Sequence, residues 1–293
     1  MRFGLVGTGY WARVTHAAGL AAHPAVDFAG VWGRRVEAAH DLAAVHDVQA
    51  YATLDDLLAD VDAVAFSVPP AVQAAAAVRA AEAGRHLLLE KPIALDLDSG
   101  RALEHAVAAN TVRSAVFFTL RFDAGIRAWL REARTQGGWA ASQLTWFGSI
   151  FVEDSPYADS QWRKDEGALW DVGPHALSLA LPVLGPAERV TGMRGPGDTV
   201  NAVVRHSGGA TSALLLSLTA PSAAAVTRFA FFGTAGAVTH DWSADVLPAY
   251  ARCIQAVLDG SGECDVGFGY EVLTVLSAIA RSLDTGAAEP VAN

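Results

Sequence analysis

The sequence predicts an α/β protein of two domains: an N-terminal doubly wound parallel sheet over residues 1–120, then an α+β domain with a mostly antiparallel sheet over residues 121–293. Three observations carry this. The first third alternates short apolar runs with alanine-rich amphipathic stretches, the pattern of a parallel sheet covered by helices on both faces. A glycine-rich turn follows directly on the first apolar run. Past Thr135 the pattern changes to successive strand-like segments separated by turn signals such as Ser207-Gly208-Gly209 and Gly233-Thr234-Ala235-Gly236.

In the first domain, the strand Phe3-Gly4-Leu5-Val6 leads into a helix expected from Thr8 to Ala22, where His23-Pro24 stops it. Strand two is Val26 to Trp32, followed by a helix through Ala38–Ala44. Tyr51 marks a short third strand, and Thr53-Leu54-Asp55-Asp56 reads as a capping box. Strand four, Ala63 to Val68, stops at Pro69-Pro70, and the alanine-rich helix after it ends at Gly84. Strand five is His86 to Glu90, a helix runs from Asp98 to Ala109, and Ala115 to Thr119 is the sixth strand.

The second domain opens, after Arg121-Phe122, with a helix to Thr135. Its expected strands are Ser142–Ile150, Arg189–Met193, Ala202–His206, Thr211–Leu218, Val226–Phe232 and Ala237–His240. Helices at Asp171–Leu184, Asp245–Asp259 and Glu271–Asp284 should cover one sheet face, leaving the other for subunit contact in a homodimer or homotetramer.

Gly7-Thr8-Gly9-Tyr10-Trp11-Ala12 is a G-x-G-x-x-A fingerprint of the Rossmann type, placed between a strand and a helix. Gly7 allows the tight turn, Gly9 lets backbone approach a pyrophosphate, and Ala12 lets helix pack on strand, with the phosphates on the helix N-terminus. The end of strand two reads Val31-Trp32-Gly33-Arg34-Arg35 and lacks the carboxylate that accepts from the ribose in NAD-binding folds. Two arginines there offer forked donors to a 2'-phosphate, which favours NADP(H) over NAD(H). The competing reading makes Arg34 and Arg35 solvated residues opening a helix, or stacks one of them on adenine whichever nucleotide is bound. Ser67, Pro69, Glu90 and Lys91, at the carboxyl ends of strands four and five, complete the expected cofactor-binding set.

Composition narrows the partners. With 21 basic against 31 acidic residues, the net charge of −10 argues against nucleic acid and anionic membranes. Cys253 and Cys264 lie outside any C-x-x-C pattern and read as free thiols of a reducing compartment. No metal site is expected. A strand beginning at the first methionine leaves no room for a secretory signal, and no uninterrupted apolar run approaches the ~18 residues of a bilayer span, so a cytoplasmic location is expected.

Two constellations could carry chemistry. Proline after Lys91 biases it toward an extended backbone, can itself take a cis bond, and so aims the ammonium at the cleft. The competing reading is a solvated surface lysine. In Asp171-Val172-Gly173-Pro174-His175, Pro174 places a helix start close to Asp171, so that Asp171 and His175 share a helical face. A histidine balanced between a helix N-terminus and a carboxylate suits proton exchange with a substrate hydroxyl. A structural Asp–His contact or N-capping by Asp171 competes with this. Four of the eight tryptophans, Trp139, Trp146, Trp162 and Trp170, precede or adjoin this helix; most read as core or interface residues, and one or two could form a platform for a sugar ring or another flat substrate, with Arg163 supplying donors.

Together, G-x-G-x-x-A at residues 7–12, Glu90-Lys91-Pro92 and Asp171-x-Gly173-x-His175 resemble the glucose-fructose oxidoreductase, inositol dehydrogenase and MocA (Gfo/Idh/MocA) family across the whole chain, including the Arg121-Phe122 crossover and the C-terminal helix with Ser282. The resemblance implies NAD(P)-dependent hydride transfer on sugars, polyols or related small molecules. It implies Lys91 beside nicotinamide and substrate hydroxyl, His175 as general acid/base, and Asp171 as its partner or a substrate-orienting group; Arg121, Trp162 and Arg163 are the residues expected at the substrate. Departures occur at Gln73, where relatives often carry His, at Ser178, where many carry Asp, and at Gly167, a lone glycine where relatives often show two or three. A non-catalytic nucleotide-binding regulator of the same fold is the alternative; retention of Lys91, Asp171 and His175 counts against it. Metal-dependent hydrolysis by Asp171 and His175 lacks further ligands at useful spacing.

Overall fold

The computed structural model describes residues 1–241 and 245–292. It divides into two compact units, Met1–Phe122 with Asp245–Tyr270, and Asp123–Ala244 with Glu271–Asn293.

The first unit is built on β1 (Arg2–Val6), β2 (Asp27–Trp32), β3 (Gln49–Ala50), β4 (Ala63–Phe66), β5 (His86–Leu89) and β6 (Ser114–Val116). They form one parallel sheet in the order β3-β2-β1-β4-β5-β6, the doubly wound arrangement the sequence predicts. Strands buried on both faces account for the unbroken apolar runs: Phe3, Leu5, Val6, Ala63–Phe66 and Leu87–Leu89 are fully enclosed. The crossovers are α1 (Ala18–Ala22), α2 (Val36–Val45), α3 (Leu54–Asp60), α4 (Pro70–Glu82), α5 (Leu97–Ala109) and α6 (Thr119–Phe122). The first of them is irregular, because a π-helical stretch, Ala12–Ala17, precedes α1. Thr53 and Asp56 close the capping box at α3.

The second unit holds α7 (Ala124–Gln136), β7 (Trp139–Phe147), α8 (Gln161–Asp171), α9 (Gly173–Leu184), β8 (Ala187–Arg194), β9 (Val200–His206), β10 (Thr211–Ser217), β11 (Val226–Gly233) and β12 (Gly236–Asp241). Its sheet has the order β12-β11-β7-β10-β9-β8-β13, where β13 is Glu289–Pro290. Every pair is antiparallel except β10 with β7. Strand period two sorts the residues: the cross-strand row Ala202, Leu214, Leu144, Phe229 is buried, whereas Val203 and Gln143 on the opposite face are exposed.

Three expectations change. The helix foreseen at Asp245–Asp259, α10 (Val246–Asp259), belongs to the first unit and not to a domain running unbroken from 121 to 293. Its stripe of Tyr250, Cys253, Ile254 and Val257 is fully buried there, and Arg252 donates to the Phe122 carbonyl. The final helix, α11 (Val266–Thr285), divides between the units at Tyr270. It is long and apolar enough to cross a membrane, with a hydropathy of 1.2, although no such segment was expected; 61% of that window is buried within the protein, as in a core helix. The helix expected to open at Asp171 opens at Gly173, and Asp171 ends the preceding helix. Both cysteines are buried.

One buried polar chain ties β7, β9 and β10 together. Ser142 Oγ donates to Ser212 Oγ (2.8 Å), which donates to His206 Nε2 (2.7 Å), leaving Nδ1–H for the Gly185 carbonyl (2.7 Å). That pattern requires a neutral ring, and burial holds the His206 pKa below its ordinary value. The unfolded chain therefore takes up the proton first, so this contribution is complete above the unfolded pKa and fades as pH falls through about 6.5. The unfolding midpoint in urea should be lower at about pH 5.5 than at about pH 7.5, and His206→Asn should shrink that difference. An undiminished difference in the variant would exclude His206 as a source.

Candidate functional site

In the first unit the carboxyl ends of β1, β2, β4 and β5 gather the residues foreseen for the cofactor. β1 ends at Val6 and the chain turns through Gly7-Thr8-Gly9 into a helix beginning at Tyr10-Trp11. Gly7 has φ +132°, and a Cβ there would lie 2.2 Å from the Ser67 carbonyl oxygen. A Cβ on Gly9 would meet nothing within 4 Å, so this backbone is open to a ligand. A Cβ on Gly33 would lie 2.7 Å from the Thr8 methyl, so the turns after β1 and β2 touch. The Arg34 and Arg35 side chains are exposed and make no hydrogen bond or ion pair among the described residues, while the Arg35 carbonyl accepts from the Ala39 N–H (3.1 Å). Ser67 donates its N–H to Val6 (2.8 Å), and Pro69 caps α4. The open turn and the helix N-terminus fit the pyrophosphate of a nicotinamide dinucleotide.

Beyond β5, the Lys91–Pro92 bond is cis. Glu90 is held inside the unit: its Oε1 accepts from the Trp11 indole (2.7 Å) and His16 Nε2 (2.9 Å), and its Oε2 accepts from the Lys91 N–H (3.2 Å). Fully buried Gln73 grips the same turn, donating to the carbonyls of Glu90 (2.7 Å) and Pro92 (3.2 Å) and accepting from the Glu90 N–H (2.8 Å). The departure at Gln73 is thus a backbone clamp. Arg121 also falls in this unit, its guanidinium 5.3 Å from the Phe268 ring centroid.

The second unit places Asp171, His175, Trp162 and Arg163. Gly167, with φ +69°, breaks α8 and redirects the chain toward Asp171. Arg163 Nε bonds Asp171 at 2.9 Å, with the two side chains 17% and 10% exposed, and Nη1 bonds Ser160 at 3.2 Å. The same guanidinium lies over the Tyr157 and Trp162 rings, 4.4 and 4.7 Å from their centroids. Asp171 is thereby held as an ion-paired carboxylate. His175 sits in the first turn of α9, buried, with its ring stacked on Trp146 at 5.3 Å and 22°. Ser178 turns its hydroxyl back to the His175 carbonyl (2.7 Å). No group of three or more metal-ligating side chains occurs among the described residues.

Sequence reading missed His16, Tyr250 and Tyr157. His16 lies on the π-helical stretch, and its Nδ1 is 3.0 Å from the Tyr250 hydroxyl, 234 residues away in sequence. Nothing local signals such a contact.

Residues 1–118 match the oxidoreductase family with an NAD-binding Rossmann fold, and residues 140–239 match the Gfo/Idh/MocA C-terminal domain. Dehydrogenase FPY6 of Fusarium mangiferae is 34% identical over 232 residues, which is 68% of this chain and 66% of that protein. Matches to two further curated relatives span 32% and 52% of their lengths. Among solved structures, the WlbA dehydrogenase of Bordetella pertussis in complex with NADH and UDP-GlcNAcA superposes with a TM-score of 0.87 at 24% identity, covering 100% of this chain and 99% of that one. GenD2 from gentamicin A biosynthesis, in complex with NAD, has the same TM-score and identity, with coverages of 100% and 97%.

Proposed function

Because this chain belongs to the Gfo/Idh/MocA oxidoreductase family, we propose that it moves a hydride between NADP(H) and a hydroxyl or carbonyl carbon of a small sugar, polyol or related molecule. The observation that carries the reading is the gathering, on one sheet edge, of an open glycine turn, two exposed guanidinium groups and Lys91. Bound nicotinamide supplies a carbon that takes or gives the hydride. Gly7–Trp11 would hold its pyrophosphate on backbone N–H groups, and Arg34 and Arg35 would hold the 2'-phosphate. His175 takes the hydroxyl proton at its imidazole during oxidation and returns it during reduction. The resemblance gives the Lys91 ammonium the role of stabilising negative charge that develops beside the nicotinamide. Asp171, fixed by Arg163, orients the imidazole or the substrate.

The nucleotide preference is open to direct test. Replacing Arg34 and Arg35 by alanine should weaken NADPH binding about tenfold or more, since forked donors to phosphate are charge-assisted. NADH binding should change by less than about threefold, because NADH lacks the phosphate these donors recognise. Titration of wild type and variant by nucleotide fluorescence decides; tighter NADH than NADPH binding in the wild type overturns the preference.

A further inference from the structure

The side chains around Glu90 do more than fill space. Three protein donors already occupy its carboxylate, which is 12% exposed: the Trp11 indole, His16 Nε2 and the Lys91 N–H. Behind His16 stands Tyr250, both fully buried, with Nδ1 and hydroxyl 3.0 Å apart. Burial pushes the Tyr250 phenol far up, so it keeps its proton and donates to Nδ1. The Nε2–H is then left to donate to Glu90, and every member of the chain is satisfied.

The two ends of this chain lie at different functional elements. Trp11 belongs to the glycine fingerprint, two positions past Gly9, at the mouth of the first helix. Glu90 precedes Lys91, and Gln73 pins the backbone on both sides of that lysine. A shift of the first helix therefore reaches Lys91 through one indole–carboxylate bond of 2.7 Å and one amide–carboxylate bond of 3.2 Å.

We propose that Glu90 is a positioning residue that couples seating of the nucleotide on Gly7–Trp11 to placement of the Lys91 ammonium, with His16 and Tyr250 fixing its carboxylate from behind. This rests on the reading of Lys91 as a residue beside the nicotinamide.

The chain contains only two lysines, Lys91 and Lys164, which makes the coupling measurable without a substrate. Trace acetylation with acetic anhydride, read by peptide mass, gives the reactivity of Lys91 with Lys164 as internal reference. In the wild type, saturating NADP+ should slow Lys91 acetylation about tenfold relative to Lys164. In Glu90→Gln, which retains the shape and loses the carboxylate, protection should drop below about threefold at NADP+ concentrations that still saturate the protein. Trp11→Phe keeps an aromatic ring and removes the N–H donor together with the rest of the indole; it should reduce protection in the same direction, and it decides the matter if Glu90→Gln does not fold. A purely structural role for Glu90 would lower the melting temperature and leave the protection ratio intact, and that result overturns the proposal. An unprotected Lys91 in the wild type would overturn the placement of Lys91 at the nicotinamide as well, which separates the two failures.

Discussion

Replacing His175 by asparagine is expected to lower kcat by about 10²- to 10⁴-fold, the range that a positioned acid or base contributes. Asparagine retains a polar planar group but cannot exchange a proton near neutrality, where an unperturbed imidazole titrates at about 6.5. The change should act on chemistry more than on folding. The α9 backbone around residue 175 is set by Pro174 in the first turn and by the Ser178 hydroxyl on the residue 175 carbonyl, and neither depends on the imidazole. What is lost besides the proton is the stack on Trp146, a contact worth about 0.5–1.5 kcal/mol. Nucleotide affinity should stay within about twofold, because the glycine turn belongs to the other unit. Stopped-flow turnover and nucleotide titration on one sample separate these effects. If His175→Asn turns over within a few-fold of the wild type and Lys91→Ala abolishes turnover, the proton-transfer role passes to Lys91.

How much of this was legible in the chain follows from the range of each interaction. The doubly wound parallel sheet of the first unit follows from alternation of apolar runs and helices, although its strand order does not, and Gly7, Gly9, Glu90 and Lys91 follow from short motifs whose meaning is local. The stripe on α10 announced a buried helix face, yet a stripe does not name its partner, and so Asp245–Tyr270 was placed with the wrong unit. Tyr250 escaped notice for the same reason, since its role exists only against His16. Around Asp171 the motif was visible and its geometry was not. Pro174 marked a helix start correctly to within two residues, but the kink at Gly167 makes Asp171 the end of one helix and hands its carboxylate to Arg163. Arg163, expected to present donors to substrate, has Nε on Asp171 and Nη1 on Ser160. The parallel pairing of β10 with β7 likewise has no local mark, because period two is the same in either direction.

The two fingerprint glycines should fail in different ways when each becomes alanine. At Gly7 the new Cβ would lie 2.2 Å from the Ser67 carbonyl oxygen and 2.8 Å from its carbon, at φ +132°. Both obstacles are backbone, and the backbone cannot yield, because Gly7 N–H is bonded to Trp32 (2.9 Å) and Ser67 N–H to Val6 (2.8 Å). Separating β1 from β4 at this point should cost about 3 kcal/mol or more, which for a chain of this size lowers the melting temperature by roughly 5 °C or more. At Gly9 the new methyl meets nothing within 4 Å, so the melting temperature should stay within about 2 °C of the wild type. The methyl occupies the space into which a pyrophosphate would come, and NADPH affinity should fall about tenfold or more. Calorimetry and nucleotide titration on the two variants therefore give opposite patterns if the turn is a phosphate cradle. A Gly9→Ala protein that binds NADPH as tightly as the wild type would mean that the phosphates do not sit on this turn, whatever the fold resembles.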